Sequence, residues 1–526
     1  MYKKTEHQLT FVDDFFLPFG GKLNKENRWV RLAEIIPWWM AEEKYAKSFK
    51  KKFKGEKAYS VRIALGALYI KERLGLSDRE TVEQITENPY LQYFIGLPEF
   101  QEKAPFDHSL MTRFRKRLGA NIINELNEWI VLEEQKRQLE EASKENDNND
   151  DQDHDDDDHD DEDRNDHYHD RGDLQPSGSD SEKHSTESAS PKTKNRGKLI
   201  LDATCAPADI AYPTDLGLLN EAREKLEHII DVLHEPHKGK LRKPRTYRKR
   251  ARKDYLSVAK QRKAGARKIR KAVGKQLGYV KRDLEIIKNL VSQSSLSLLS
   301  KDEYRQLLVI HELYRQQAEM YKKKTHRVDH RIVSISQPHV RPIVRGKAKA
   351  NVEFGSKVAI SVVDGYALIE HLDWENYNEG TTLKESVENY YNRFGFYPEA
   401  ILADKIYRNR NNLAYCKSLG IRLSGPRLGR PSRTEDKTLE RVARQDASER
   451  NAVEGKFGEG KRKYGLGLIR ARLQETSETV VALQFFILNL ERKLRVLFLK
   501  FLHNTILYFK TGLVSDSFSK LQLFIL

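Results

Sequence analysis

The sequence has few cysteines and no long, uninterrupted apolar segment. Only Cys205 and Cys416 occur in 526 residues, which excludes a disulfide framework and a cysteine-based zinc site and fits a reducing compartment. The N-terminal residues MYKKTEHQLTFVDDFF lack the apolar core of a secretory signal peptide. The most apolar stretch, VVALQFFILNLERKLRVLFLKF, is interrupted by charged residues at 491–493 and 495. It predicts a buried or partner-facing helix and no membrane span.

The charge of the chain is strongly positive and unevenly distributed. There are 94 Lys and Arg residues against 78 Asp and Glu residues, a net charge of +16. Residues 145–173 contain sixteen acidic and two basic residues, so this segment carries −14 and the other 497 residues carry +30. A surface this positive favours a polyanionic partner, nucleic acid first and an anionic membrane second. A merely basic soluble protein is the alternative.

The length predicts two to four structural units, and changes in composition suggest their limits. Residues 141–197 have almost no apolar side chains, which predicts a disordered acidic linker; a solvated tether is favoured over a metal-binding or autoinhibitory role. Strand-like runs alternate with helical ones elsewhere, which predicts an α/β fold. The predicted units are a helical N-terminal DNA-binding domain (1–140), the linker, a catalytic core (198–214 and 346–500), a basic helical insertion (215–345) and a C-terminal tail (501–526).

The N-terminal domain is predicted to contain short helices that end in a basic turn. Ser77 and Glu80 have the spacing of a capping box, which predicts a helix start at this point. The later segment HSLMTRFRKRLG predicts another helix and carries the basic residues Arg113, Arg115, Lys116 and Arg117. Helices joined by tight turns, with the last one basic, fit a helix-turn-helix reader of the DNA major groove. A plain helical bundle with a solvated basic face explains the pattern equally well.

The predicted insertion contains the most basic part of the chain. Between Lys238 and Arg282 there are twenty Lys or Arg residues and a single acidic residue, Asp254. A solvated helical face would explain a modest excess of positive charge, whereas this excess favours contact with a phosphate backbone. The residues assigned to that contact are Arg248, Lys249, Arg250, Arg252 and Lys253.

Two predicted strands end in an aspartate, at LIL-Asp202 and at ILA-Asp404. A carboxylate at the carboxyl end of a strand projects into the crevice in which α/β folds bind ligands. Each aspartate alone is weak support, because Asp often ends strands. Asp364 is the structural counterexample, since it precedes Gly365 in a predicted hairpin turn.

A third carboxylate, Glu454, lies in a predicted helix with two cations. At about 100° per residue, Arg450, Glu454 and Lys461 fall at roughly 0°, 40° and 20°, on one face. An ordinary ion-pair ladder would also give this spacing. However, the glycines at 455, 458 and 460 are costly in a stabilised surface helix and permit a ligand to approach the backbone closely.

With these residues the sequence resembles the DDE transposases of bacterial insertion sequences, in the group named for a Tyr-Arg-Glu-Lys signature. Arg450, Glu454 and Lys461 match the last three positions, and Ala447 stands where the Tyr is expected. The resemblance extends to DATCAPADIAYPTDLGLLNEAR, to VRPIVRGKAKANVEFGSKVAISVVDGYALIEHLDW, to ILADKIYRNRNN and to APFDHSLMTRFRKRL. It covers most of the chain apart from the linker and the C-terminal tail.

The resemblance implies an RNase H-like catalytic core in which Asp202, Asp404 and Glu454 hold two Mg²⁺ or Mn²⁺ ions. It also implies that Arg450 and Lys461 bind phosphates near the cleaved bond. The expected partners are double-stranded DNA, as terminal inverted repeats and as target DNA, and a second copy of the chain on that DNA. The expected location is the bacterial cytoplasm, at the nucleoid.

Three other functions remain compatible with the sequence. A nuclease of the same fold would cut DNA without joining it. A catalytically inactive protein derived from a transposase would only bind DNA. An RNA-binding protein would suit the charge, but it would give the three acidic residues no role.

Overall fold

The computed structural model describes residues 2, 4, 11–49, 57–150, 194–347, 350–425 and 437–510. Residues 151–193 of the predicted linker and residues 511–526 of the predicted tail lie outside this part of the chain. The described α-helices are α1 Arg28–Ile35, α2 Trp38–Lys47, α3 Val61–Leu74, α4 Asp78–Glu87, α5 Pro89–Phe94, α6 Leu110–Asp150, α7 Asp215–His234, α8 Arg248–Ala259, α9 Ala266–Val291, α10 Lys301–Lys323, α11 Leu383–Phe394, α12 Arg410–Ser418, α13 Lys437–Lys463 and α14 Gln474–Lys510. The described strands are β1 Lys198–Pro207, β2 Arg341–Lys347, β3 Ala350–Val363, β4 Tyr366–Asp373, β5 Ala400–Ala403 and β6 Arg422–Leu423.

Helices α1–α6 form the N-terminal part of the protein. Helix α3 begins after Ser60, whose side chain accepts a hydrogen bond from the Ile63 amide, and ends at Gly75 in the left-handed conformation (φ +71°). The predicted capping box of α4 is confirmed, because Ser77 and Glu80 exchange both side-chain-to-backbone hydrogen bonds. Local hydrogen bonds within a few residues therefore define the start of α3 and the turn that joins α3 to α4.

Helices α6 and α14 lie side by side and run in the same direction. Asn489 Nδ2 donates to Asn127 Oδ1 (2.8 Å), Lys493 pairs with Glu133 (2.8 Å), and Lys500 pairs with Glu141 (2.5 Å). Helix α6 continues to Asp150, ten residues past the predicted end of the N-terminal domain, and its pairing with α14 continues beyond residue 140. The apolar C-terminal stretch is thus a helix, and its first part packs in the core.

The strands form one six-stranded mixed sheet among the described residues. Its order is β2–β3–β1–β5–β6. Strand β4 also pairs with β3, along residues 357–363, which follow the residues of β3 that pair with β2. Strand β1 is antiparallel to β3 and parallel to β5, and β5 is parallel to β6. The β3–β4 connection is the predicted hairpin turn, with Asp364 at φ +48° and Gly365 at φ +77°.

The two faces of this sheet are covered by different helices. The core that includes Val358 and Ile360 of β3 continues into α13, α14 and the N-terminal helices. The core on the opposite face includes Leu201 of β1 and Ile401 of β5, together with residues of α11 and α12. The sheet is therefore a layer between helices, which leaves its strand ends accessible.

Helices α7–α10 have a hydrophobic core of their own. It contains Leu226 and Ile230 of α7, Leu277 and Val280 of α9, and Leu313 of α10. These helices lie between β1 and β2 in the chain, as predicted for the basic insertion, although β2 already begins at Arg341. A separate core allows these helices to present a charged outer surface without disturbing the sheet.

Candidate functional site

The prediction that the first strand ends at Asp202 is wrong, because β1 continues to Pro207 through its pairing with β3. Asp202 therefore lies within β1, next to the end of β5. Leu201 is the register partner of Ala403, so Asp202 and Asp404 follow two paired residues on adjacent parallel strands. The side chain of Asp202 is 18% exposed, and its Oδ1 accepts a hydrogen bond from the Ala203 amide (2.8 Å). The pKa of Asp202 is raised to about 6, with burial as the largest cause; the Ala203 amide and Arg450 act to lower it, whereas nearby Glu379 and Asp404 act to raise it.

Asp404 ends β5 and opens a short 3-10 turn, Lys405–Tyr407. Its Oδ1 accepts a hydrogen bond from the Lys405 amide (2.7 Å), which fixes the carboxylate at the start of the turn. Asp202, Asp404 and Glu379 line one cavity of about 520 Å³ at this edge of the sheet. Parallel strands commonly bind ligands at their carboxyl ends. Here the pairing of β1 with β5 brings Asp202, within β1, beside Asp404 at the carboxyl end of β5.

Helix α13 brings Arg450 and Glu454 to Asp202. One guanidinium nitrogen of Arg450 lies 3.5 Å from Asp202 Oδ2, and another lies 3.4 Å from Glu454 Oε1. The side chain of Glu454 is 60% exposed. Arg450 therefore connects the strand carboxylate to the helix carboxylate and partly balances the negative charge of both.

The path of α13 over the sheet is fixed by two ion pairs near the middle of the helix. Lys198 of β1 contacts Glu449 at 2.9 Å, and Arg422 of β6 donates to both carboxylate oxygens of Asp446. The helix is continuous through Gly455, Gly458 and Gly460, so Arg450 and Glu454 lie one turn apart, as their spacing predicts.

Lys461 lies on the same helix but lines another cavity. This second cavity, of about 590 Å³, is also lined by Lys71, Asp78, Arg115 and Arg470. It lies between the turn that joins α3 to α4 and the chain after α13. The structure therefore brings Asp202, Asp404, Arg450 and Glu454 together and places Lys461 at the junction with the N-terminal helices.

The donor set at Asp202 and Asp404 suits a hard divalent cation. Mg²⁺ prefers carboxylate oxygens and keeps bound waters. Asp202 and Asp404 repel each other when both are charged, and a bound cation would neutralise this repulsion. Among the residues that the structure describes, no three His, Cys, Asp or Glu side chains form a preassembled metal cluster. Glu454 does not join such a cluster because the Arg450 guanidinium lies between Glu454 and Asp202.

The four basic residues predicted near the start of α6 have different environments. Arg113, Lys116 and Arg117 are exposed, and the Arg117 guanidinium lies 3.9 Å from the centre of the Phe49 ring. Arg115 is 7% exposed and donates to both oxygens of Asp78 (3.0 and 2.7 Å). Its guanidinium is thus committed to a partly buried ion pair between α6 and α4.

The basic residues predicted in the insertion lie on α8. Lys249, Arg250, Arg252 and Lys253 are exposed. Arg248, at the first position of the helix, instead donates to the Glu227 carbonyl (2.7 Å) and to Asp231 (2.5 Å). Arg248 therefore ties α8 to α7, whereas the four residues after it extend toward solvent.

Two charged residues of the cavity that Asp202 and Asp404 line were not predicted from the sequence. Glu379 lies in the loop after β4, and Lys357 lies on β3, where their side chains form an ion pair at 2.9 Å. Neither follows an apolar run that ends in an acid, which was the signal that identified the two aspartates. A local signal in the sequence is the glycine after Glu379, because a glycine permits close approach of another backbone. In the structure Gly380 does lie against the loop that follows Asp404.

Within the described part of the chain, no helix is both long and apolar enough to cross a membrane.

Residues 401–491 match the family model described as "Transposase DDE domain", and residues 18–117 match the one described as "Transposase domain (DUF772)". The chain is also 40% identical, over 104 residues, to a Rhizobium meliloti protein named "Uncharacterized protein ORF8 in nfe locus".

That alignment covers 20% of this chain, and the chain spans about half (49%) of the length of this relative. No solved structure matches the chain significantly. The first family match contains Asp404, Arg450 and Glu454, and the second contains α1–α5 and the beginning of α6. The two matches together support a transposase of the DDE type, from a transposable element.

Proposed function

We propose that this protein is a DNA transposase that cuts the ends of an insertion sequence and joins their 3′-hydroxyl groups to target DNA. The observation that carries the proposal is the convergence of Asp202, Asp404 and the Arg450–Glu454 pair at one edge of the sheet. The strand order, with β1 parallel to β5 and antiparallel to β3, supports an RNase H-like core.

Asp202, Asp404 and Glu454 are the proposed ligands of two Mg²⁺ or Mn²⁺ ions. When bound, such ions activate an attacking oxygen and stabilise the departing one, so no covalent protein nucleophile is required. Asp202 supplies a carboxylate from within β1, Asp404 supplies one from the end of β5, and Glu454 supplies a more exposed one from α13. Arg450, which contacts both Asp202 and Glu454, would be free to hold a DNA phosphate with its guanidinium if cations neutralised these carboxylates.

The positive surfaces are the proposed DNA contacts. Arg113, Lys116 and Arg117 would bind DNA from the N-terminal helices, and the exposed residues of α8 would bind it from the insertion. The contact through α8 follows from charge, because phosphates attract Lys and Arg irrespective of base sequence. Action as a homodimer on DNA is proposed because two ends must be joined in one complex. The proposed location, the bacterial cytoplasm at the nucleoid, is where an insertion sequence would meet this protein.

The test is a cleavage and strand-transfer assay with the DNA that flanks the gene, in Mg²⁺ or Mn²⁺. The wild-type protein should nick the ends and join pre-cleaved ends to a plasmid. Asp202→Asn and Glu454→Gln should retain DNA binding and lose both reactions. Asp364→Asn is the matched control, because Asp364 lies in the hairpin turn, and Asn also adopts its positive φ readily.

The possible outcomes separate the competing functions. Cleavage without joined product would indicate a nuclease, and binding without cleavage by the wild-type protein would indicate an inactive derivative. Normal cutting by Asp202→Asn would refute the proposed site, whatever the activity of the chain.

A further inference from the structure

The loop after β4 places a fourth carboxylate, Glu379, in the wall of the cavity that Asp202 and Asp404 line. Glu379 begins a short 3-10 turn, Glu379–Thr381, which Asn378 caps by accepting a hydrogen bond from the Gly380 amide (3.0 Å). Its side chain lines the same cavity as Asp202 and Asp404 and is 19% exposed. The carboxylate is therefore part of the cavity wall and is largely shielded from solvent.

Two contacts hold this loop firmly against the Asp404 loop. A Cβ atom on Gly380 would lie only 2.6 Å from the Ile406 carbonyl oxygen, so the two backbones are in close contact. The buried side chain of Asn412 donates to the carbonyl oxygens of both Gly380 and Tyr407, each at 2.8 Å. Since these contacts join the residues next to Glu379 and Asp404, the position of Glu379 is fixed relative to Asp404.

A buried lysine is bound to this carboxylate. Lys357 Nζ lies 2.9 Å from Glu379 and donates to the Tyr377 carbonyl oxygen (2.8 Å), and its side chain is 9% exposed. It also lies 4.8 Å from the centre of the Tyr377 ring. A buried carboxylate needs a cation, and Lys357 supplies this charge in the cavity that Asp202 and Asp404 line.

We propose that Glu379 is a further metal-binding carboxylate of this centre and that Lys357 is its exchangeable counter-cation. The inference rests on the proposed function, since it assumes that divalent ions bind at Asp202 and Asp404. A divalent ion competes with the Lys357 ammonium for Glu379, because both are cations and the carboxylate faces the shared cavity. Removing the carboxylate and removing the lysine should therefore have opposite effects on metal affinity.

The experiment measures Mn²⁺ binding to the purified full chain, without DNA, by the loss of the free-ion electron paramagnetic resonance signal. Glu379→Gln should weaken Mn²⁺ binding by about 10-fold or more, the size of effect typical for side chains that support a metal site. Lys357→Met should strengthen it several-fold. In the double variant, Lys357→Met should give no strengthening, since the carboxylate that it competes for is gone.

Glu375→Gln is the matched control, because Glu375 is on the same loop and is ion-paired with Arg341 (2.7 Å) but does not line the cavity. Its Mn²⁺ affinity should equal that of the wild-type protein. If Lys357→Met does not fold, Lys357→Gln replaces it, since it keeps a donor for the Tyr377 carbonyl and removes the charge.

Wild-type affinity in Glu379→Gln, or unchanged or weaker affinity in the lysine variants, would overturn the inference. Asp202→Asn distinguishes this result from a failure of the proposed function. If Asp202→Asn abolishes Mn²⁺ binding and Glu379→Gln does not weaken it, only the role of Glu379 is wrong. If Asp202→Asn binds Mn²⁺ normally, the metal centre itself is wrong.

Discussion

Replacing Asp202 by Asn should make the metal-free protein more stable at neutral pH. The folded protein raises the pKa of this carboxyl from 3.8 to about 6, so it disfavours the charged form that is present at pH 7.5. At about 1.36 kcal/mol per pKa unit, the penalty is on the order of 3 kcal/mol. Asn removes the charge and keeps an oxygen that accepts the Ala203 hydrogen bond.

The raised pKa of Asp202 makes the free energy of unfolding depend on pH. Because the folded-state pKa lies above the unfolded value, the stability that protonated Asp202 contributes is full below about pH 4 and is lost as the pH rises through about 6. The advantage of Asp202→Asn should therefore be largest above pH 6 and disappear near pH 4.

The assay is urea-induced unfolding in EDTA at pH 7.5 and at pH 4.5, with Asp364→Asn as the control. The control tests the loss of an aspartate outside the cavity. Mn²⁺ should then stabilise the wild-type protein and leave Asp202→Asn unchanged, because a ligand stabilises only the state that binds it. If Asp202→Asn were no more stable than the wild type at pH 7.5, the charged form of Asp202 would not destabilise the folded protein, and the argument would be refuted.

Three further predictions follow from the same contacts. Mn²⁺ affinity should fall as the pH is lowered through about 6, because protonated Asp202 cannot bind a cation; a flat titration curve from pH 7.5 to 5.5 would contradict this. Changing residues 249, 250, 252 and 253 to Gln should reduce the slope of log K against log salt by about 0.9 per lost phosphate contact, whereas Arg315→Gln, on α10 and paired with Glu312 and Glu319, should not alter it. Arg115→Ala should destabilise the protein by about 1.5–3 kcal/mol, since it removes two charge-assisted hydrogen bonds to the partly exposed Asp78 and leaves Lys71, at 3.9 Å, as the nearby cation. Arg113→Ala should weaken DNA binding at unchanged stability; equal unfolding midpoints for the two variants would be the contrary result.

The sequence by itself determined those features that depend on neighbours a few residues apart. Ser77 and Glu80 form the predicted capping box, and Asp364 and Gly365 form the predicted hairpin turn. Arg450 and Glu454 lie one helical turn apart and are in contact, as their spacing indicates. In each case the interacting groups are joined by a short stretch of chain, so their residue types suffice to specify the local geometry.

Only the tertiary structure decided which distant groups share a site. The pairing of Leu201 with Ala403, which brings Asp202 beside Asp404, joins strands about 200 residues apart, and no periodic pattern in either strand names its partner. Glu379 enters the cavity because its loop packs on the Asp404 loop through Gly380. Burial likewise separates Arg115 from its exposed basic neighbours. Strand pairing, loop packing and burial arise from contacts between distant segments, so they become defined only when the whole core assembles.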